Sequence, residues 1–138
     1  MRVRMCAGGV VFYEDLVLIL KNDKDEWVLP KGVVRNGDLS RDVALERVRV
    51  EAGVEAEIVS TAGETSYEFY SMTRRQPVYN QITWYVMQAK EMRTDPDARQ
   101  GFQESGFYTF DEAIDKITYS QDKALVAASF RKYRKIAS

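Results

Sequence analysis

Leu29-Pro30-Lys31-Gly32-Val33-Val34-Arg35-Asn36-Gly37-Asp38, continued by Leu39-Ser40-Arg41-Asp42-Val43-Ala44-Leu45-Glu46-Arg47-Val48-Arg49-Val50-Glu51-Ala52-Gly53-Val54, is the stretch that decides the fold. Pro30 stops the strand before it and sets Lys31-Gly32 on a turn. Ser40 suits a helix N-cap, Asp42 the positive end of the helix dipole and Gly53 a left-handed C-terminal cap, so a helix is expected between them. At ~100° per residue, Val43, Arg47, Val50 and Glu51 share one face, while Leu45, Val48 and Ala52 share the face turned to a core. Glu46 points away from Arg47, among Asp42 and Arg49 on a solvated edge. Arg47 and Glu51 stand one helical turn apart, close enough to pair.

Outward from that helix, the 138 residues are expected to form one domain, 1–138, around a single core. Hydrophobic residues at 45% and charged residues at 30% are the balance of a water-soluble globular chain. A net charge of −1 gives no general attraction to nucleic acid or to an anionic membrane, and neither is expected as a partner. The apolar runs are too short for a bilayer span and Met1-Arg2-Val3-Arg4 lacks the apolar stretch of a signal peptide, so a cytoplasmic location is expected. There is no histidine, and Cys6 is the single cysteine. Those two facts exclude an internal disulfide, a thiolate zinc cluster and every histidine-dependent nucleophile or base. Any metal would be held by oxygen and be magnesium, manganese or calcium in type. Cys6 reads as a small buried side chain on the first strand. Nothing in the sequence reads out an oligomeric state.

Residues 3–12 suit a central strand, with Gly8-Gly9 marking a close backbone approach. Residues 16–20 read as a buried strand and 26–29 as a short one. Beyond the helix, strands are expected at 55–60 and 61–70, a hairpin or flexible loop at 71–77, and an alternating strand at 78–89. Asp95-Pro96-Asp97 marks a loop, 106–110 a last strand, Asp111 the start of a short helix, and 122–136 a closing helix with a basic end. That basic end is read as a favourable helix C-terminus in preference to a nucleic-acid patch.

The frame from Gly32 to Val54 resembles the Nudix box, whose pattern is Gly, five residues, Glu, seven residues, Arg-Glu, an apolar residue, any residue, Glu-Glu, any residue, Gly, an apolar residue. Asp38 falls at the first Glu, Glu46-Arg47 at Arg-Glu, Val50-Glu51 at Glu-Glu and Gly53-Val54 at the end. In that family three helical glutamates bind divalent metal against a diphosphate; the corresponding positions here are Arg47, Val50 and Glu51. Sliding the frame does not restore the site: with Glu46 first the next two positions are Arg49 and Val50, and with Glu51 first they are Val54 and Glu55, beyond the helix-ending Gly53. Ala7-Gly8-Gly9-Val10-Val11, Trp27-Val28-Leu29-Pro30-Lys31-Gly32, Gly63-Glu64-Thr65-Ser66-Tyr67 and Phe107-Tyr108-Thr109-Phe110-Asp111-Glu112-Ala113 resemble the diadenosine polyphosphate hydrolase branch. The resemblance implies an α+β fold, a Nudix-type mixed β-sheet sandwiched between α-helices, with the box at 32–54.

It also implies a reaction: water attacks phosphorus in a nucleoside polyphosphate, with metals neutralising the phosphates and acidifying the water. Glu51 and the main-chain carbonyl at Gly32 are the candidate metal ligands, and Glu51 and Glu104 the candidate catalytic acids. Glu104 is placed in a loop, where it otherwise reads as an exposed carboxylate. Lys31 and Arg47 are candidate phosphate binders, with Arg35 and Arg41 nearby; the plainer reading is solvated charge. Tyr67 and Tyr79, with Phe69 and Tyr70, are a candidate base-stacking platform or else strand core. Glu64 and Glu68 are lesser candidates for metal. The expected function is a Nudix hydrolase-like protein acting on or binding nucleoside polyphosphates, its catalysis weakened by Arg47 and Val50. Mg2+ or Mn2+ is the cofactor if the chain is active. The alternative is a catalytically inactive nucleotide sensor or protein-interaction module without a metal, in which the Arg47 guanidinium takes over charge neutralisation.

Overall fold

Twelve consecutive residues, Arg2–Tyr13, form β1, and the rest of the sheet is assembled around it. The computed structural model describes residues 2–137. The remaining elements are β2 (Leu16–Asn22), β3 (Trp27–Val28), β4 (Lys31–Val33), α1 (Ser40–Ala52), β5 (Ala56–Ser71), β6 (Gln76–Ala89), a 3-10 turn (Ala98–Gln100), β7 (Phe102–Thr109), α2 (Phe110–Lys116) and α3 (Ser120–Ala137). β1 runs parallel to β6 from Arg2↔Val78 to Phe12↔Gln88 and antiparallel to β2 and β4. β6 pairs with β5 and β2 with β3 and β7, all antiparallel, giving one mixed sheet.

Side chains alternate across that sheet. Cys6, Val10, Phe12, Ile82, Trp84 and Val86 face α3, where Leu125, Val126 and Tyr133 close one core. Ala7, Val11, Leu18 and Met87 face α1, where Ala44, Val48 and Ala52 close the other. Both faces being covered is why β1 and β2 read as nearly unbroken apolar runs. The expected mixed sheet between helices is thus what the chain forms, with a core on each side of it. Among the described residues, no helix is long and apolar enough to cross a membrane.

Gly8 and Gly9 sit where the expected close approach occurs. A Cβ on Gly8 would lie 2.5 Å from the Pro30 carbonyl oxygen and 2.6 Å from the Trp84 ring. The Gly9 N–H donates to the same carbonyl at 3.1 Å, locking the turn before β4 onto the central strand.

Several local expectations are corrected. Ala44, not Leu45, is the fully buried residue in the first half of α1, because Ala44, Val48 and Ala52 form one i, i+4, i+8 row; Leu45 lies half-buried beside it. The N-cap is Leu39, without a side-chain cap, and the Ser40 hydroxyl instead bonds the Tyr85 hydroxyl at 2.5 Å. Gly53 does cap α1, at φ 67°. The strands expected at 55–60 and 61–70 are one, β5, with register shifts at Ile58/Ser60 and Thr61/Gly63 that bend it without ending it. β7 begins at Phe102 and not at Gly106, so Glu104 is on a strand.

Candidate functional site

On the face of α1 turned to β4, Arg47 donates from Nε to Glu51 Oε2 at 2.9 Å, and its Nη2 lies 2.8 Å from the same oxygen. Nη2 also donates to Gln100 Oε1 at 3.0 Å. Glu51 is 3% exposed, a carboxylate nearly out of water. Burial pushes its pKa up; the Arg47 guanidinium, Lys31 and the Lys31 backbone N–H pull it back. Arg47 reaches this position because its stem crosses Gly32, where any Cβ would stand 2.6 Å from Cγ and Cδ.

Gln100 is the partner that sequence reasoning missed. It is brought there by the segment before β7, whose Asp95 and Asp97 N–H groups donate to the Ala52 and Glu51 carbonyls at 2.7 and 3.1 Å. These bonds satisfy carbonyls at the end of α1 and fasten the loop to the helix. The sequence signal was the loop mark at Asp95-Pro96-Asp97, which carried no indication of a contact with Arg47.

Beside this ion pair, between the β4–α1 loop and the first half of α1, runs an open groove of about 520 Å³ lined by Val33, Arg35, Asp38, Asp42, Glu46 and Arg47. Glu46 is fully drawn to Arg49, at 2.5 Å, and leaves Arg47 to Glu51 and Gln100. Among the described residues, no three His, Cys, Asp or Glu side chains are placed to share a metal ion.

Lys31 lies on the opposite face. It pairs with Gly8, so its side chain goes to the α3 side, whereas Gly32 pairs with Ala7 on the α1 side. Lys31 Nζ stands 5.9 Å from the centroid of the Tyr67 ring. The Tyr67 hydroxyl accepts from Asn80 Nδ2 at 2.8 Å, and Asn80 Oδ1 accepts from Arg4 Nε at 2.8 Å; Asn80 is wholly buried. Gln121 Nε2 donates to the Ser66 carbonyl at 3.1 Å, drawing the start of α3 toward β5. There the Tyr119 hydroxyl donates to Glu26. That bond holds Glu26 below the usual carboxylate range and pushes Tyr119 up to about 12. Burial raises Asp122, and Lys31 offsets part of the rise.

Of the residues singled out in the sequence, Gly32, Arg47 and Glu51 come together on one face and Lys31 and Tyr67 on the other. Tyr79 does not join Tyr67. Tyr67 pairs with Asn80 and Tyr79 with Glu68, so the two rings leave opposite faces of the β5–β6 ladder; the ring that accompanies Tyr67 is Phe69, at 6.0 Å. Glu104 is directly opposite Lys21 on β2, 3.4 Å from its ammonium, on the face shared by Val17 and Ile19 and therefore away from α1.

A mixed, curled sheet flanked by helices, with a loop–helix–loop laid against its central strand, defines a Nudix-type α+β sandwich. The NUDIX domain family model matches residues 3–129, and the chain belongs to that family. Solved structures agree in fold. A NUDIX hydrolase from Nitrosomonas europaea is similar at 15% identity and a TM-score of 0.76, over 98% of this chain and 74% of that one. An ADP-ribose pyrophosphatase from Streptococcus suis is similar at 17% identity and 0.72, over 95% and 92%. An Ap4A hydrolase from C. elegans, solved as a binary complex, is similar at 16% identity and 0.68, over 97% of each chain.

Proposed function

We propose that this Nudix protein binds nucleoside polyphosphates of the diadenosine polyphosphate kind and hydrolyses them weakly, if at all, because its box is degenerate at Arg47 and Val50. The observation that carries the reading is the Arg47–Glu51 ion pair, 2.8 Å long, on the helix face where the box pattern expects metal-binding glutamates. The donor set does not fit a resident divalent ion. Val50 has no donor atom, and the one oxygen of Glu51 facing Arg47 takes both of its N–H contacts. Gly32 still offers a main-chain carbonyl, but a lone carbonyl and a lone buried carboxylate are a poor cage for a hard cation.

What these residues can do is hold phosphate. Arg47 has a fork of donors of which Glu51 and Gln100 use Nε and Nη2, and its remaining N–H groups can meet an anion at the groove. Lys31, on the far side of β4, supplies a second cation, and the Tyr67 ring beside it can stack on a base. A ligand bent around the β4 edge would meet all three. The similarity in fold to an Ap4A hydrolase and an ADP-ribose pyrophosphatase supports this ligand class. Glu104, tied to Lys21 on the other face, has no part in the reading. Tyr79 has none either.

The second reading, a nucleotide sensor without catalysis, is favoured by the same ion pair, since a guanidinium neutralises phosphate charge but does not generate hydroxide. Either form is expected to work in the cytoplasm on a small-molecule ligand. A calorimetric titration with diadenosine tetraphosphate and a nucleotide panel, in magnesium, manganese and chelator, with released product followed, separates them. Binding that survives chelator without product assigns the sensor. Metal-dependent turnover assigns the hydrolase, and no binding under any condition overturns both.

A further inference from the structure

We infer that Asn36, at the tip of the β4–α1 loop, is a site of spontaneous covalent modification that adds a negative charge next to Gly37 and Asp38, which line the groove beside Arg47. Asn36 and Gly37 occupy the two central positions of a turn closed by the Asp38 N–H on the Arg35 carbonyl at 3.0 Å. Asp38 Oδ2 accepts from the Arg35 N–H at 3.2 Å, which holds the two ends together and leaves the middle in water. Gly37 has φ +86°, no atom within 4 Å of where its Cβ would be, and an N–H that makes no hydrogen bond among the described residues. Cyclisation needs that nitrogen to swing toward the Asn36 side-chain carbon. A residue without Cβ, in an open turn, gives the peptide the greatest freedom to do so.

The step balances with water alone. The Gly37 backbone nitrogen bonds to Cγ of Asn36, the side-chain nitrogen leaves as ammonia carrying the proton from the Gly37 N–H, and a five-membered imide results. Water then opens the imide at either carbonyl, giving aspartate or isoaspartate. The other two asparagines are internal controls. Asn22 accepts the Lys24 and Glu26 N–H groups on Oδ1 and donates to Glu26 from Nδ2, each at 3.0 Å. Asn80 is wholly buried inside β6 with both side-chain polar atoms bonded.

Gly37 and Asp38 line the groove with Arg35 and Arg47, so the new carboxylate would compete with an anionic ligand for those cations. This consequence rests on the phosphate-binding reading; the modification does not. The test is to incubate the full chain in mildly alkaline buffer, digest it, and read the peptides holding Asn22, Asn36 and Asn80 by mass and for isoaspartate. The expected result is amide loss at Asn36 alone, with isoaspartate in excess, abolished in Asn36→Gln. Retention of the Asn36 amide in the folded chain while urea-unfolded chain loses it overturns the proposal, as does equal loss at Asn22 and Asn80. The second arm titrates wild type and Asn36→Asp with inorganic pyrophosphate in chelator, where the variant is expected to bind about threefold more weakly. Equal affinities overturn the link between the modification and the groove. Pyrophosphate bound by neither, with Asn36 nevertheless converted, overturns the phosphate-binding reading and leaves the modification standing.

Discussion

Arg47 lies across Gly32, so closely that a Cβ on Gly32 would stand 2.6 Å from its Cγ and Cδ and 3.0 Å from its Nε. Close approach, and not backbone angle, is what demands glycine here, since Gly32 is absent from the glycines with positive φ. The strand thereby forms the bed on which an arginine is aimed at Glu51.

The first prediction follows from that bed. Gly32→Ala puts a methyl into the stem of Arg47, and overpacking of this kind costs about 1–3 kcal/mol. The same substitution made in an Arg47→Ala background has nothing to strike and is expected to cost close to nothing. Urea denaturation of the two singles and the double gives the coupling. An equal cost in both backgrounds would place the clash elsewhere than on Arg47.

Removing the guanidinium tests the other end. Arg47→Met leaves Glu51, 3% exposed, without its cation, and breaking a buried pair from one side costs about 3 kcal/mol at neutral pH. The pH dependence has a definite sign. Burial already holds the folded pKa of Glu51 above the ordinary 4.5, so the folded chain binds the proton more tightly than the unfolded one. Its stability contribution is most favourable below 4.5 and falls as pH rises through the folded pKa. Arg47→Met takes away the largest influence that lowers that pKa and moves it further up. The variant's deficit should therefore shrink on acidification toward 4.5. A deficit independent of pH would show that Glu51 is not its source.

How much of this was legible depended on range. The Arg47–Glu51 pair was readable because i, i+4 spacing on a capped helix fixes two side chains from local geometry alone. Gly8-Gly9 was readable because a glycine weakens an apolar strand unless another chain segment presses against it. The separation of Lys31 from Arg47 was not, since it depends on the Gly8↔Lys31 register, and one residue of slip would have put Lys31 on the other face. Tyr67 and Tyr79 were parted by the same parity across β5 and β6. The polar run Gln103-Glu104-Ser105-Gly106 predicts a loop, yet it lies within β7, which pairs with β2. Gln100 reaches Arg47 across 53 positions of sequence, through backbone bonds that no side-chain pattern announces.

On the α3 face, Tyr119 and Glu26 make a titration signature. Tyr119, pushed up to about 12, should be the last tyrosine to ionise in a spectrophotometric titration, and Tyr119→Phe should remove that late step. Glu26, held low mainly by the Tyr119 hydroxyl, should move back toward 4.5 in the same variant, as read by carboxylate NMR. The signs bound a window. Glu26's contribution is present above its unfolded pKa and lost as pH falls through the folded one, while Tyr119's is present below about 10 and lost as pH rises toward 12. Tyr119→Phe should lower stability most between about 4.5 and 10, with a deficit that fades toward both pH extremes. A normal tyrosine titration in wild type would break the pairing.

Restoring carboxylates is the sharpest test of the box register. In Arg47→Glu, Val50→Glu, the two new side chains join Glu51 on one helix face, and Glu51 loses the guanidinium that occupied its oxygen. Three carboxylates beside the Gly32 carbonyl form the oxygen-rich set that manganese or magnesium accepts. Without metal, three like charges on one helix face repel, one of them buried, so the apo variant is expected to be less stable than wild type. Added manganese should raise its melting temperature and leave wild type unmoved. The expected outcome is manganese binding by electron paramagnetic titration, with a stabilisation that grows with metal concentration. Hydrolysis of diadenosine tetraphosphate gained by the same variant would show that Arg47 and Val50 are what hold the wild-type chain back. Folding without manganese affinity would mean that the helix face has been assigned to the wrong side of Gly32.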